Sequence, residues 1–353
     1  MVKGSRVRQW DAIRILCTFI IICYHISCEA SFSGTEYIIP FYNTANGAWG
    51  AMMVSVFFML SGSTLYYVYR SFENREQIMR FYKNRIRDIM LPFWITWFIF
   101  YIVKSVRVQD IAWGGGFDKL ILSVIGVDGY MYYLGENYTL IGEWFFGAIV
   151  ILYGIYPCVL WIFDNYRKLG TGLIFSVYIV IAFFNPFKMA AYRNIFTCIW
   201  SFWIGIILGG QCCRQKLNGY AAGLMGITCS LVVIFIKIPL PPELILPIGG
   251  VSFYVSIYFL YGQVLKKRDV KISDILYKGS FMTYLIHHQI IYQVFPVAFK
   301  YFKPSVFWID ILLFAVVVYI IGCVYYMIYS RSLIIFRHTA KRKLSAKGRS
   351  VDE

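Results

Sequence analysis

Charge is scarce in this sequence, and acidic charge is scarcest. Only 15% of the 353 residues are charged, and 18 Asp and Glu stand against 34 Lys and Arg. Hydrophobic residues make up 59% of the chain, and its mean hydropathy is positive. Soluble globular domains carry about a quarter charged residues. The composition therefore excludes an ordinary soluble enzyme and predicts an all-α polytopic membrane protein.

Several local signals are missing as well. None of the nine cysteines belongs to a Cys-x-x-Cys pair, so their spacing predicts neither a disulfide framework nor a thiolate metal site. The first apolar run keeps charged residues and lacks a small-residue cleavage site, so we predict no cleaved signal peptide. The net charge of +16 lies between the apolar runs and not along one soluble domain. We therefore expect no nucleic acid among the partners.

Apolar runs dominate the rest of the chain and predict about ten transmembrane helices. They lie at approximately 11–29, 49–69, 89–106, 144–163, 171–186, 195–212, 219–237, 244–262, 279–299 and 307–330. With the N-terminus in the cytoplasm, 25 of the 34 basic residues fall in cytoplasmic segments and eight in outer segments. This asymmetry predicts a multi-pass protein of the cell membrane with both termini cytoplasmic.

The chain divides into two predicted parts. Residues 1–336 form a membrane-embedded domain, and residues 337–353 form a basic cytoplasmic tail that we expect to be disordered on the anionic inner leaflet. The longest outer connection, about 107–143, is rich in glycine turns and is predicted to be a loop.

The first predicted span carries ionisable residues at helical spacing. Arg14 and His25 are eleven residues apart, which in a helix is about 20° beyond three full turns and an axial rise of about 16–17 Å. Both side chains therefore lie on one stripe, separated by about half a bilayer core. Asp11 and Glu29 lie just outside them, at spacings that allow each to brace its neighbour. Alternatively, Arg14 could snorkel to the surface and His25 could satisfy an isolated hydrogen bond. Ionisable residues are energetically unfavourable in a membrane, so two of them on one stripe favour a functional role.

Five motifs in order carry a family resemblance. They are Asp11 with Arg14 and His25, Val56–Gly62, Lys83–Trp94, Trp144–Phe146 with Tyr156–Pro157, and Tyr284–His288. In this order the chain resembles the acyltransferase-3 family of bacterial integral membrane O-acyltransferases, in the stand-alone form. The chain departs from the family at Asp88, where a second arginine is common, so Arg85 and Arg87 stay alternatives. It departs again before Trp144, where no role is assigned to Glu143.

The resemblance implies an acyltransferase that transfers groups other than aminoacyl groups. Its co-substrate would be acyl-CoA, acetyl-CoA first, with no bound cofactor. The acceptor would be a hydroxyl of an extracytoplasmic cell-surface polysaccharide or of a lipid-linked sugar. Membrane lipids complete the expected partners, and the oligomeric state is not readable.

The residue types suit this chemistry. Arg14, Arg85 and Arg87 are expected to bind the phosphates of acyl-CoA, because a guanidinium grips phosphate through two hydrogen bonds. His25 is expected to be the general base, with Glu29 orienting it, because histidine titrates nearest neutrality. A covalent acyl-histidine relay is an open alternative.

Asp11, Ser61 and His287 are predicted supporting residues. Ser61 could be a nucleophile or, with Gly62, a close helix-packing pair, and packing is favoured because small residues commonly pack membrane helices. His287 and His288 lie about 100° apart on a helix, so we expect at most one to face the site, with His288 structural. Without a carboxylate or thiolate at ligand spacing, this pair predicts no metal site.

Two other classes of function are alternatives to an acyltransferase. A secondary transporter or flippase for an anionic or glycolipid substrate would also need intramembrane arginine and histidine, but the sequence shows no matched Gly/Pro-interrupted halves. A sensor or assembly subunit without activity is disfavoured by the intact Arg14 and His25 pair. Labelling of membrane vesicles with radioactive acetyl-CoA, followed by glycan analysis, distinguishes these classes.

Overall fold

A computed structural model describes residues 6–34, 40–213, 217, 219–265, 274–302 and 307–349. Side chains are not described for residue 213, for 264–265 and for 336–349. Within the described ranges the chain is helical, with short 3₁₀ and π turns and no strand. The predicted all-α class is confirmed, and the chain is a multi-pass membrane protein.

Ten long helices in the described ranges coincide with the ten predicted spans. They are α1 (Arg8–Phe32), α2 (Trp49–Val68), α3 (Arg75–Val108), α4 (Glu143–Asn165), α5 (Arg167–Phe184), α6 (Ile195–Cys213), α7 (Tyr220–Phe235), α8 (Pro242–Leu260), α9 (Asp274–Ala298) and α10 (Phe307–Arg349). Eight are long and apolar enough to cross a membrane. The other two are α7, which has only 16 residues, and α9, which carries histidines and a glutamine. Ten crossings and the side of each terminus stay predictions.

The helix α1 lies near the centre of the bundle. It contacts α2 and α8 on one side and α9 and α10 on the other. Its apolar residues Ile13, Cys17, Ile22 and Ile26 are fully buried. The stripe that carries Arg14 and His25 therefore lies inside the bundle, where ionisable groups of membrane proteins are normally found.

Small residues join α2 to α6. A Cβ at Gly62 would overlap the carbonyl oxygen of Phe202, and one at Gly205 would overlap that of Met59. Such close backbone approach is the use of small residues between membrane helices. Gly62 therefore packs the helices, while Ser61 beside it lines a cavity.

The basic run before the third predicted span is helical, so α3 begins at Arg75 and not near residue 89. Asn74 caps the start of α3 by accepting a hydrogen bond from the Gln77 amide. A π turn, Ile86–Met90, ends two residues before Pro92. A proline ring does not fit against the carbonyl four residues earlier in a regular helix, and the wider turn accommodates it. Arg85 and Arg87 are thus held on a continuous helix.

The predicted outer loop contains short helices and is fastened by tryptophans. The Trp94 indole donates to the carbonyl of Val124 (2.9 Å), and the Trp97 indole donates to that of Tyr138 (3.0 Å). The short helices include Leu120–Ile125 and Asp128–Met131. The loop is therefore an ordered cover over one end of the bundle.

Asp128 is the buried centre of this cover. Its carboxylate accepts hydrogen bonds from the Ser123 hydroxyl (2.8 Å) and the Gly129 amide (2.9 Å), and its carbonyl accepts one from the Asn137 side chain. Burial nevertheless raises the pKa of Asp128 from 3.8 to about 6, because the charged form is desolvated.

The last helix extends beyond the predicted membrane domain. Its backbone stays helical to Arg349, where the sequence predicted a disordered tail from residue 337. The segment 337–349 is rich in Lys and Arg, which favour helix, and it lacks proline. The two-part division of the chain stays a prediction.

Candidate functional site

Two cavities enter the helix bundle. The histidine cavity, of 890 Å³, is lined among others by His25, Glu29, Glu143, His287 and His288. The arginine cavity, of 650 Å³, is lined among others by Arg14, Ser61, Arg85, Arg87 and Tyr277. The residues predicted for donor binding and those predicted for chemistry therefore fall into two separate groups.

The helix α1 connects the two cavities. Arg14 and Thr18 line the arginine cavity, and Ile21 and His25 line the histidine cavity. Their spacing of four, three and four residues is that of one helical stripe. Arg14 and His25 therefore lie on the same stripe of α1 but in different cavities.

An aromatic wall separates the cavities. Among the described residues, only Phe145 and Tyr284 line both. Their rings meet edge to face, with centroids 5.4 Å apart. The Tyr284 hydroxyl donates a hydrogen bond to the carbonyl of Gly142, which holds α9 against the start of α4. A molecule that reached from Arg14 to His25 would have to pass these two rings.

Three histidines meet in the histidine cavity. The His25 ring centroid lies 3.9 Å from that of His288 and 5.3 Å from that of His287. The expectation that at most one of the adjacent histidines would face the site is wrong. The side chains of His287 and His288 leave α9 in different directions, but both rings reach the imidazole of His25 on α1.

His287 has a defined proton position. Its Nδ1–H donates to the carbonyl of Tyr284 (2.6 Å), since a carbonyl oxygen only accepts. The lone pair of this neutral ring is therefore on Nε2, which is buried without a hydrogen-bond partner among the described residues. This atom is available to a ligand or a proton in the cavity.

Glu143 supplies the carboxylate of the cluster. It contacts His288 Nε2 as an ion pair when that ring is protonated. Glu143 begins α4 with a left-handed φ of 43°, an uncommon conformation for a residue with a Cβ. Glu29 lines the same cavity, and its predicted role as the orienter of His25 stays a prediction.

Sequence reasoning missed two members of this cluster. Glu143 was seen only as a departure from the family pattern, and His288 was taken as structural. The sequence did hold a signal for Glu143, which is an acidic residue at the start of an apolar helix, directly after Gly142. Its partner is a histidine 145 residues away, so no local spacing connects them.

Arg85 and Arg87 differ in the arginine cavity. Nε and Nη2 of Arg87 donate hydrogen bonds to the carboxylate of neighbouring Asp88, at 2.7 and 3.1 Å, whereas Arg85 Nη2 lies 3.9 Å from this carboxylate. The guanidinium of Arg85 lies near the rings of Tyr153 and Phe81, and its buried Nε has no hydrogen-bond partner among the described residues. Arg85 is therefore the better placed of the two to bind an anion.

Arg14 is held by an aromatic ring. Its guanidinium lies 4.9 Å from the centroid of Tyr277, whose ring also faces Arg6. Asp11, expected to brace Arg14, forms its described ion pair with Arg6 at 2.6 Å. Ser61 accepts a hydrogen bond from the Tyr153 hydroxyl (3.3 Å) at the edge of the same cavity.

Comparison with known proteins gave one match. The model of a family of acyltransferase domains, acyltransferase-3, matches residues 7–328. Searches of curated proteins and of solved structures gave no match. The matched range contains every residue of the histidine cavity and Arg14, Arg85 and Arg87 of the arginine cavity.

Proposed function

The chain belongs to the acyltransferase-3 family, and from this premise we propose that it moves an acyl group from cytosolic acyl-CoA to a cell-surface glycan. Acetyl-CoA is the proposed donor. The proposed acceptor is a hydroxyl of an extracytoplasmic polysaccharide or of its lipid-linked precursor. The observation that carries the proposal is the position of Arg14 and His25 in adjacent cavities on one helix.

The arginine cavity suits the CoA end of the donor. CoA carries several phosphate charges, and Arg14 and Arg85 present guanidinium groups that bind phosphate in planar, paired hydrogen bonds. Lys278 adds a third positive charge to the lining. The pantetheine arm then passes between Phe145 and Tyr284, which brings the thioester toward His25.

The histidine cavity suits the transfer step. His25 accepts the proton of the acceptor hydroxyl while the hydroxyl oxygen attacks the thioester carbonyl. A new C–O ester bond forms and the C–S bond breaks, so CoA leaves as a thiolate. The imidazolium returns its proton to this sulfur, and the ring is neutral again. A covalent acyl-histidine intermediate would use the same atoms in two steps.

Radioactive acetyl-CoA supplied to membrane vesicles from the native host tests this function. We expect label in an alkali-labile ester on a surface glycan. His25→Ala should reduce transfer by about 10²–10⁴-fold, the usual contribution of a general base, and leave CoA binding by calorimetry unchanged. Transfer above about a tenth of the wild-type rate in this variant would exclude His25 as the base.

A transporter is the second candidate, because two cavities divided by an aromatic wall would also serve alternating access. The same vesicles distinguish it. A transporter would accumulate intact substrate and leave no label covalently attached to the glycan.

A further inference from the structure

The histidine cluster has the dimensions of a metal site. Each of His25, His287 and His288 offers a ring nitrogen, and these atoms lie within 4.8 Å of one another. Three atoms no farther apart than this have a common centre within about 2.8 Å of each, and a Zn–N bond is about 2.0–2.1 Å. Ring movements of less than about 1 Å would therefore bring all three nitrogens onto one ion.

Unsatisfied nitrogens in the cluster point to a ligand. His287 Nε2 and His288 Nδ1 have no hydrogen-bond partner among the described residues, although the residues are only 2% and 9% exposed. Buried polar atoms are nearly always hydrogen-bonded. The donation from His287 Nδ1 to the Tyr284 carbonyl is also the contact that orients a metal-binding imidazole through its other nitrogen.

We propose that His25, His287 and His288 bind one divalent transition metal ion, with Zn²⁺ as the best fit, and that the bound ion inhibits acyl transfer. Imidazole is a preferred ligand of Zn²⁺, Cu²⁺ and Ni²⁺. The Glu143 carboxylate, against His288, supplies an oxygen and a negative charge beside the ion. The inhibition rests on the proposed function, because the ion occupies the lone pair with which His25 would accept the hydroxyl proton. Metal binding itself does not depend on it.

Cobalt titration tests the site directly. The protein is purified without a polyhistidine tag, treated with a chelator and titrated with Co²⁺, whose tetrahedral complexes absorb visible light strongly. We expect one Co²⁺ per chain, a tetrahedral spectrum and displacement by Zn²⁺. Acetyl transfer in vesicles should fall as Zn²⁺ fills the site and recover when the chelator is added.

Two variants identify the ligands. His287→Asn keeps a donor for the Tyr284 carbonyl but removes Nε2, and His288→Ala removes the neighbouring ring. Each should weaken Co²⁺ binding by at least about tenfold, since loss of an outer-shell partner alone costs about 10–100-fold. His338→Ala removes the fourth histidine of the chain, in α10, and should leave Co²⁺ binding unchanged. Thermal unfolding and CoA binding verify that each variant is folded.

The outcomes separate the two proposals. Absence of Co²⁺ binding, an octahedral spectrum, or unchanged affinity in both folded variants would overturn the metal site and leave the acyltransferase proposal standing. Faster transfer with Zn²⁺ bound would overturn the inhibition alone. Absence of acetyl transfer in the metal-free wild type would count against the proposed function, while the cobalt spectrum would still report on the site.

Discussion

Two arginines that line the arginine cavity, Arg85 and Arg87, differ in the side chains that they contact. Arg85 and Arg87 have the same charge and lie on the same helix, but Asp88 accepts two hydrogen bonds from Arg87 and makes only a longer ion pair, at 3.9 Å, with Arg85. Arg85 keeps a buried Nε without a partner among the described residues. Substitution of each arginine in turn therefore tests which of the two contacts the proposed donor.

We expect Arg85→Gln to weaken CoA binding by about tenfold or more, because a charge-assisted hydrogen bond contributes about 1.5–3 kcal/mol. Arg87→Gln should change affinity less, since its guanidinium is already paired with Asp88. Calorimetry with CoA on the purified variants measures both. Equal losses in the two variants would show that the distinction between these arginines is wrong.

The raised pKa of buried Asp128 predicts that the stability of the 107–143 segment depends on pH. Its pKa is about 6 when folded and 3.8 in the unfolded chain, so the folded state holds a proton that the unfolded state releases between these values. The stability that this group contributes is complete below about pH 4 and is lost as the pH rises through 6. Asp128→Asn keeps an acceptor for the Gly129 amide and should remove this dependence.

Thermal unfolding in detergent at pH 5 and at pH 8 measures the effect. We expect the wild type to lose more stability than Asp128→Asn over this interval, since other titrating groups are common to both. An identical change in the two proteins would show that Asp128 is already ionised at pH 5.

At the scale of helices, the wall between the cavities depends on how α4 meets α9. Phe145 comes from α4 and Tyr284 from α9, and the Tyr284 hydroxyl holds the Gly142 carbonyl at the start of α4. In the proposed function, the two rings separate the water of the histidine cavity from the donor in the arginine cavity until the thioester passes between them. We therefore expect that, while both rings are present, little acetyl-CoA is hydrolysed when no acceptor is bound.

Phe145→Ala should increase hydrolysis of acetyl-CoA several-fold in the absence of acceptor and leave CoA affinity unchanged. Release of free thiol, followed with a thiol reagent, measures this reaction. Phe57→Ala is the matched control, because Phe57 lines the arginine cavity but not the histidine cavity. If Phe57→Ala raises hydrolysis as much as Phe145→Ala, the aromatic pair is not the barrier.

At the scale of the whole molecule, orientation decides whether the donor reaches its cavity from the cytosol. The charge asymmetry predicts that the 107–143 segment faces outward and the start of α3 faces the cytoplasm. Leu134 and Met79 represent these two regions and are 70% and 59% exposed. Both positions accept a reporter cysteine on the surface.

In a Cys158→Ser background, which removes an exposed native thiol, Leu134→Cys should react with an impermeant maleimide on intact cells. Met79→Cys should react only after permeabilisation. The reverse pattern would show that the protein has the opposite orientation, with the arginine cavity on the outer side, where acyl-CoA is not supplied.

The sequence by itself determined the local properties of the chain. Apolar runs predicted the ten long helices, because hydropathy and the helical period depend on residues within a few turns. The same period placed Arg14 and His25 on one stripe of α1. The predicted third span began near residue 89, because hydropathy detects only the apolar part of α3, and the polar helical segment from Arg75 lies outside that signal.

Only the tertiary structure decided which distant residues meet. His25, Glu143 and the pair His287 and His288 come from three helices, and their contact depends on how α1, α4 and α9 pack. The aromatic wall has the same origin. Side-chain convergence is set by interhelical packing over separations of more than a hundred residues, and a single sequence carries no local pattern for it.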